Sequence, residues 1–292
     1  MHRRGFLGTL AGSLGALALT SPFASPLSAA PLEKVRSLGV LRVGLYADNR
    51  PWSWDAAGQP AGIDVDLARA LAEAFGVRAD IALFTADEAV SDDLRNVVWR
   101  GGLLGFQPCD VMLHVPFDPR FAAQEDQVVF VAPYYRESFA AVCGNEARDC
   151  DVPPPQLAGK RLAAELDSIP DFYLLGGFGG ILRKDVVHYP TGYEAVGAVQ
   201  DGKADFAVAT RAQVDAAMAD NPGGNAKRRR GPLPAIASPG WDIGMAVKEN
   251  SRTLGFAIEE TVEAMAQDGR LATLFTRHGV EWKPALATQP NT

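Results

Sequence analysis

Cysteine and histidine are scarce in this chain, which contains three cysteines and four histidines in 292 residues. Neither residue type shows the spacing of a metal-ligand motif, so the sequence indicates no metal site. The glycines of Gly176–Gly180 lack the third glycine of a dinucleotide fingerprint and follow no strand pattern. The apolar run Leu7–Thr20 falls well short of the ~20 residues that a membrane-crossing helix needs. These absences disfavour a metal, a nucleotide cofactor and stable membrane insertion.

Basic residues are outnumbered, with 28 Lys and Arg against 35 Asp and Glu and a formal net charge of −7. An acidic protein of this kind is not expected to bind nucleic acid or anionic lipid nonspecifically. The basic segment Lys227–Arg230 is the exception. Glycine and proline flank it on both sides, so the sequence predicts a solvated loop, with a docking patch as the alternative.

The first thirty residues combine Arg3-Arg4-Gly5-Phe6-Leu7, a weakly apolar stretch and Ser28-Ala29-Ala30. This arrangement resembles a twin-arginine export signal, with an ordinary secretory signal as the alternative. We expect cleavage after Ala29 or Ala30 and a periplasmic location. In that oxidising compartment Cys143 and Cys150, with turn-forming residues between them, are predicted to form a disulfide. Cys109 precedes an apolar strand and is predicted to be a buried free thiol.

Strand and helix patterns alternate after the signal, which indicates an α/β protein. The predicted strands lie at 40–45, 79–84, 111–115, 128–131, 139–143, 161–164, 186–189, 206–209 and 243–247. The predicted helices lie at 65–75, 92–104, 195–201, 213–218, 254–266 and 271–278.

Several of these segments, in order, resemble the family 3 solute-binding proteins, which are bilobed periplasmic receptors. The segments that carry the resemblance are Leu41–Gly44, Pro51–Trp54, Gly62–Ala68, Cys109–Met112, Ala132–Tyr135, Leu157–Leu162, Gly202–Val208, Asp242–Lys248 and Asp268–Ala272. The resemblance implies a two-lobed type II fold in which each lobe is a sheet flanked by helices. It implies an export signal at 1–29, a first lobe at 30–137, a second at 138–242, a return to the first at 243–285 and a tail at 286–292. Two hinge crossings are implied near 136–140 and 241–245, with ligand in the cleft between the lobes.

The family's ligand-clamping residues are altered in this chain. The position of the arginine that holds an α-carboxylate falls at Ala122, with Arg120 two residues away. The position of the acid that holds the α-ammonium falls at Thr210, followed by Arg211. A neutral hydroxyl cannot replace a carboxylate as the partner of a buried cation. We therefore expect a small polar or anionic ligand rather than a plain α-amino acid.

Ten residues are candidate ligand contacts: Asp48, Trp52, Trp54, His114, Arg120, Arg136, Ser168, Asp171, Thr210 and Arg211. His114 ends a strand that opens on the expected cleft, with a core histidine as the alternative. Trp52 and Trp54 alternate on an extended segment, so one of them is expected to stack on ligand unless both pack in the core. Arg136 either binds an anion or pairs with an acid across the lobes. Ser168 and Asp171 serve the ligand or a helix cap.

The family implies a solute-binding protein that serves an ABC permease. A second resemblance, carried by 92–99, 110–116 and 133–136, is to MoxJ-type proteins associated with quinoprotein dehydrogenases. It implies an accessory role with such a dehydrogenase as partner. An enzyme on the same fold, such as a dehydratase or a lytic transglycosylase with Asp48 or Glu165 as general acid, is the third alternative. No paired carboxylates, nucleophile elbow or Ser-x-x-Lys motif supports it, so no enzymatic activity is expected.

Overall fold

The computed structural model describes residues 31–147 and 149–289, so the predicted signal at 1–29 and the last three residues of the predicted tail lie outside the described residues. Within this part, the chain forms two five-stranded sheets and one small three-stranded sheet. Each large sheet is packed against helices and has its own apolar core. The two-lobed α/β architecture predicted from the sequence is confirmed.

The first lobe begins directly after the predicted signal. Its elements in chain order are α1 (Pro31–Leu38), β1 (Val40–Tyr46), β2 (Asp48–Asn49), β3 (Ser53–Asp55), β4 (Pro60–Ala61), α2 (Ile63–Phe75), β5 (Arg78–Phe84), α3 (Val90–Leu94), β6 (Val111–Pro116), α4 (Pro119–Ala122) and β7 (Val128–Glu137). In α2 the residues Ile63, Leu67, Leu71 and Phe75 share the buried face, and Gly76 ends the helix in the left-handed conformation. The four-residue spacing in the sequence had indicated this helix.

At Ser138 the chain crosses into the second lobe. Its elements are β8 (Phe139–Gly144), β9 (Leu162–Glu165), α5 (Ile169–Gly176), β10 (Val186–Tyr189), α6 (Gly192–Gln200), β11 (Phe206–Thr210), α7 (Arg211–Asp220) and β12 (Ala226–Arg228). The chain then returns to the first lobe through β13 (Trp241–Lys248), α8 (Arg252–Gln267) and α9 (Arg270–Arg277). We propose lobe boundaries beside these two crossings, at 137/138 and 242/243.

The strand order is β5-β1-β6-β13-β7 in the first lobe and β10-β9-β11-β8-β12 in the second. Strand β1 runs parallel to β5 and β6, whereas β13 runs antiparallel to both β6 and β7. In the second lobe β9 runs parallel to β10 and β11, and β8 runs antiparallel to β11 and β12. The carboxyl ends of β1, β6, β9 and β11 therefore carry the loops on which a ligand site of such sheets is expected.

Strand β7 continues through Pro133, whereas the sequence predicted that it ends at Val131. Its pairing with β13 shifts register between Ile243 and Met245, so Ala132, Pro133 and Tyr134 form a bulge opposite Gly244. A bulge accommodates the missing N–H of a proline without breaking the strand. The bulge places both Tyr134 and Tyr135 in the core.

The predicted helix at 92–104 is wrong after Trp99. The α-helix ends at Leu94, a π-helical turn covers Arg95–Trp99, and Gly101 takes a φ of 93° that ends the helical path. Short 3₁₀ segments lie at Leu103–Gly105, Pro154–Leu157, Gly177–Gly180, Arg183–Asp185, Glu249–Ser251 and Leu286–Thr288.

The basic segment Lys227–Arg230 is not the solvated loop that the sequence predicted. Its first two residues belong to β12, which pairs with the edge of β8. The Arg229 side chain is buried and donates to the carbonyls of Cys150, at 2.9 Å, and Val152, at 2.8 Å. Arg228 pairs with Asp215. Arg229 is buried and Lys227 half-buried, whereas Arg228 and Arg230 stay exposed. Neither the strand partner of β12 nor the buried acceptors of Arg229 are visible in local sequence.

Cys143 and Cys150 form a disulfide, with 5.7 Å between their Cα atoms, and Cys109 is a buried free thiol. Burial raises the pKa of the Cys109 thiol to about 12, so it is an unreactive core residue. Both cysteine predictions agree with the structure. None of the helices at 31–147 and 149–289 is long and apolar enough to span a membrane.

Candidate functional site

A cavity of about 210 Å³ lies where the two lobes meet. Its lining residues are Asn49, Trp52, His114, Glu137, Phe139, Glu165, Ser168, Ile169, Pro170, Thr210, Gln213 and Trp241. Larger hollows of about 650 and 580 Å³ are each lined by a single lobe. The interlobe cavity is the candidate site because both lobes, and both chain crossings, contribute side chains to it.

Glu137 occupies the end of β7, at the crossing into the second lobe, and its side chain is 1% exposed. Oε1 accepts hydrogen bonds from the N–H groups of Ser138, at 2.9 Å, and Ala212, at 3.4 Å. Oε2 is buried and has no hydrogen-bond partner among the described residues. Burial raises the pKa of this carboxyl to about 8, against the opposing effects of those two N–H donors and of the nearby Thr210 side chain. A buried carboxylate oxygen without a donor is costly, so it is suited to a ligand that supplies one.

A second carboxylate, Glu165, reaches the cavity from the end of β9. Its Oε2 accepts hydrogen bonds from the Gly192 N–H at 2.8 Å and from Gln213 Nε2 at 3.1 Å. A Cβ atom at position 192 would overlap the Gln213 side chain, so this close approach requires glycine. Gln213 also accepts from the Thr210 N–H at 3.2 Å, which completes a capping box at the start of α7. The second-lobe wall is therefore held by a connected hydrogen-bond network.

His114 enters the cavity because β6 is irregular at this residue. Val115 pairs with Gly244 and Leu113 with Met245, so His114 is the extra residue of a bulge and has a φ of 62°. Its Nδ1 lies 3.3 Å from Oδ2 of the fully buried Asp64.

Asp64 is the buried acid beneath this histidine. Its Oδ1 accepts from the Tyr134 hydroxyl at 2.7 Å. The Tyr134 phenol has a raised pKa because of its burial and the adjacent Asp64 charge. Tyr134 and Asp64 together fix the floor beneath His114.

Aromatic rings form much of the remaining wall. Trp52 packs against His114, with 4.7 Å between ring centroids, and against Tyr135 at 5.1 Å and Phe275 at 5.7 Å. Phe139 and Trp241, one from each chain crossing, lie 5.5 Å apart. Such rings can contact apolar parts of a ligand or the positive charge of an organic cation.

Four of the ten predicted ligand residues line the cavity: Trp52, His114, Ser168 and Thr210. Ser168 also caps α5, since its Oγ accepts from the Asp171 N–H at 3.2 Å, so both of its predicted roles fit the geometry. Trp52 is likewise both core residue and cavity wall.

Six predicted residues lie outside the lining: Asp48, Trp54, Arg120, Arg136, Asp171 and Arg211. Asp48 is exposed, and Arg120 is exposed on α4. Asp171 is 1% exposed and binds His188 Nε2 at 3.0 Å, so it stabilises the start of α5.

The two arginines that the sequence favoured as anion-binding groups are paired with acids. Arg136 pairs with Asp242 at 3.3 Å, and the Asp242 carboxylate also accepts hydrogen bonds from the N–H groups of Leu286 and Ala287. Arg211 pairs with Glu281 and lies 3.7 Å from Asp215. Neither guanidinium lines the cavity, which removes the reason for expecting an anionic ligand.

The sequence did not indicate Asn49, Glu137, Phe139, Ile169, Pro170, Gln213 or Trp241 as site residues, and it considered Glu165 only as an acid catalyst. The predicted hinge segments, 136–140 and 241–245, contain three of these residues. These three residues could have been predicted from their place in the hinge segments, because residues at a chain crossing lie between the lobes and next to the cleft.

Arg50 follows the lining residue Asn49 and contacts both lobes. Its guanidinium lies 4.8 Å from the Trp54 ring and 4.3 Å from the Tyr193 ring, and it pairs with Asp220 at 2.8 Å. Trp54 belongs to the first lobe, whereas Tyr193 and Asp220 belong to the second. The Tyr193 hydroxyl donates to the same Asp220 carboxylate at 2.7 Å. This arrangement, the Arg50 clasp, favours the closed approach of the lobes.

Arg50→Ala is expected to weaken ligand binding by about tenfold, because it removes two cation–π contacts and one ion pair that favour closure. Calorimetry would measure the affinity, and small-angle scattering would show a larger radius of gyration. Arg69→Ala is the matched control, since Arg69 pairs with Asp66 within the first lobe. Equal affinities for both variants would show that the clasp does not contribute to closure.

Within residues 31–147 and 149–289, no group of three or more His, Cys, Asp or Glu side chains forms a metal-binding arrangement.

Comparison with solved structures identifies the fold. An ancestral cationic amino acid solute-binding protein matches with a TM-score of 0.66 and 21% identity, over 86% of this chain and 100% of that one. An amino acid ABC transporter substrate-binding protein from Streptococcus pneumoniae, bound to L-arginine, matches with a TM-score of 0.62 and 17% identity, over 86% and 98%. An ancestral amino-acid-binding protein described as a precursor of cyclohexadienyl dehydratase matches with a TM-score of 0.60 and 21% identity, over 86% and 100%.

No protein-family model matches this chain, and no curated protein sequence matches it either. The structural matches show that the chain has the two-lobed fold of periplasmic solute-binding proteins, as the sequence predicted.

Proposed function

We propose that this chain is an extracytoplasmic solute-binding protein whose interlobe cleft binds a small organic cation. The observation that carries the proposal is Oε2 of Glu137, a buried carboxylate oxygen without a donor in a cavity that both lobes line. An isolated buried charge is unfavourable, whereas a hydrogen-bonded cation offsets that cost. An ammonium or guanidinium group supplies both the charge and the donor.

The sequence left a small polar or anionic ligand open, and this proposal chooses a polar cation instead of an anion. Glu137 and Glu165 face the cavity, and the described lining contains no lysine or arginine. A like charge close to a carboxylate is unfavourable, so a bound anion would make ionisation of Glu137 still more costly, whereas a bound cation makes it less costly. Thr210 cannot supply the negative charge that a cation needs, but Glu137, at the nearby chain crossing, can.

Calorimetry on the purified protein tests the sign of the ligand charge with a matched pair of five-carbon probes. Cadaverine carries two ammonium groups and glutarate carries two carboxylates; lysine and arginine complete the panel. We expect at least one cation to bind with a micromolar dissociation constant, about −8 kcal/mol, and no binding of glutarate. Tight binding of glutarate with no cation binding would overturn the proposal.

Delivery of the ligand to an ABC permease is part of the proposed function. The support is the fold, which the chain shares with an ABC transporter substrate-binding protein. The alternatives of a dehydrogenase accessory protein of MoxJ type and of an enzyme on this fold stay predictions from the sequence.

We propose export to the periplasm through the twin-arginine signal, which implies that the chain folds before it crosses the membrane. Replacing both Arg3 and Arg4 by Lys is expected to leave unprocessed protein in the cytoplasm. Fractionation followed by mass measurement of the amino terminus would detect this, and the unaltered chain should begin near Ala30. Normal processing of the double variant would instead favour the ordinary secretory signal.

A further inference from the structure

We infer that the cleft selects amines that carry no carboxylate, in preference to amino acids that differ from them only by that group. This inference rests on the proposed cation-binding function and narrows its substrate class. It follows from the charges that face the cavity and from the acid partners of the nearby basic residues. It also follows from the N–H groups at the adjacent helix amino termini, which already donate to protein acceptors.

The first step concerns the charges at the cavity surface. Two acids line the cavity: Glu137 at the end of β7 and Glu165 at the end of β9. The described lining contains no lysine or arginine. His114 is the one lining side chain that can become positive, and its ring already lies 3.3 Å from buried Asp64. A ligand carboxylate would therefore be desolvated among acids, without a positive partner.

The second step concerns the basic residues closest to the cleft, which are already neutralised. Arg136 is paired with Asp242, Arg211 with Glu281, and Arg50 with Asp220. If one of these arginines turned to a ligand carboxylate, its present acid partner would lose that ion pair. Breaking such a pair offsets what a new one would contribute.

The third step concerns helix amino termini, which are the other sites that bind anions. At α7 the Arg211 N–H donates to the Ser138 carbonyl, the Ala212 N–H to Glu137 Oε1 and the Gln213 N–H to Thr210 Oγ1. The first three donors of this helix are thus engaged by the protein, one of them by a carboxylate.

The amino terminus of α5 is also occupied. Pro170 has no N–H, and the Asp171 N–H donates to Ser168 Oγ. The buried Asp171 carboxylate already supplies the negative charge that a helix amino terminus favours. At most one first-turn N–H, that of Ile169, is left for a ligand. One neutral donor does not balance the negative charge of a ligand carboxylate.

The remaining surface suits an amine. Oε2 of Glu137 lacks a donor, and the Trp52, Phe139 and Trp241 rings can contact an organic cation or its methylene groups. At about 210 Å³ the cavity is smaller than the ~300–1,000 Å³ of pockets for drug-sized ligands, so the amine is small.

Three matched pairs test the inference by calorimetry on the purified protein: cadaverine with lysine, putrescine with ornithine, and agmatine with arginine. Within each pair the chain and its cationic end group are the same, and the amino acid adds one carboxylate. We expect the amine of at least one pair to bind about 100-fold more tightly than its amino acid, because an unpaired buried carboxylate costs several kcal/mol.

An amino acid that binds as tightly as its amine, or more tightly, would overturn this inference and leave the proposed cation-binding function intact. Failure of all six probes would overturn both. Glu137→Gln is expected to lose amine binding, whereas Glu260→Gln, an exposed site on α8, is the matched control and should keep it. Circular dichroism and melting curves establish that both variants are folded, so that a lost affinity reports on the site.

Discussion

Replacement of Glu137 by Gln is expected to weaken cation binding by about 100-fold or more, because truncating one partner of a buried charge pair costs 2–5 kcal/mol. The amide keeps the shape of the side chain and can still accept from Ser138 and Ala212. It removes only the negative charge and the unpartnered carboxylate oxygen. Calorimetry with the tightest cation of the panel measures the effect, with Glu260→Gln as the control. Affinity within about threefold of the unaltered protein would show that Glu137 does not bind the ligand.

The same substitution is expected to change stability in the opposite direction. Burial raises the pKa of the Glu137 carboxyl from 4.5 to about 8 in the folded state. Between these values the folded chain holds a proton that the unfolded chain has lost, so the free energy of unfolding falls as pH rises from about 4.5 to about 8. Glu137→Gln cannot ionise, so this pH-dependent fall in the free energy of unfolding should be absent from the variant. The variant should be more stable than the unaltered protein at pH 8.5, by a few kcal/mol, and similar at pH 4.5.

Urea unfolding at both pH values measures this difference. Equal stability of the two proteins at pH 8.5 would contradict the buried, uncompensated carboxyl. Higher stability together with lost ligand binding would be the signature of a group that is retained for function at a cost in stability.

Trp52→Ala is expected to lower the free energy of unfolding by about 3–5 kcal/mol, the usual cost of removing a buried aromatic side chain. Trp52 is 2% exposed and lies between His114, Tyr134, Tyr135 and Phe275, so the space it leaves cannot close without moving several rings. Because it also supports His114, ligand affinity should fall. Denaturant unfolding measures the first effect and calorimetry the second.

Trp52→Phe is the control for this substitution, since it keeps an aromatic ring and should lose less stability than Trp52→Ala. A loss below about 1 kcal/mol for Trp52→Ala would mean that the site collapses easily. That result would contradict a rigid aromatic floor beneath the cavity.

The parts of the fold that the sequence predicted best are those controlled by local periodicity. Ile63, Leu67, Leu71 and Phe75 repeat every four residues, and Gly76 follows them, so α2 was visible without tertiary information. The buried strands β6 and β11 were visible as short apolar runs. The order of the family-like segments then indicated the two-lobed architecture, which the structure has.

The site was harder to predict because two bulges change which side chains face inward. After the bulge at Pro133, Arg136 is partly exposed and Glu137 is buried, whereas the sequence favoured Arg136 for the ligand. A shift of one residue in a strand exchanges its two faces, so a prediction from alternation fails after an unseen bulge. The second bulge directs His114 to the cleft. Its position near the end of a buried strand was enough to list it as a candidate from the sequence.

The acid partners of the two candidate arginines were hard to identify for a different reason. Arg136 and Arg211 are close to the cleft in sequence terms, but their acid partners Asp242 and Glu281 are contributed by distant segments. A chain with 35 acidic residues offers many such partners, and only the folded structure identifies them.

The central claim is that a buried Glu137 carboxylate binds an organic cation, and the pH dependence of affinity tests it most directly. The bound cation requires the charged carboxylate, whereas the empty cleft favours the protonated one. The dissociation constant of the tightest cation should therefore fall by about tenfold per pH unit up to about pH 8, then level off, and Glu137→Gln should remove this slope. An affinity that is constant or weakens as pH rises toward 8 would contradict the account.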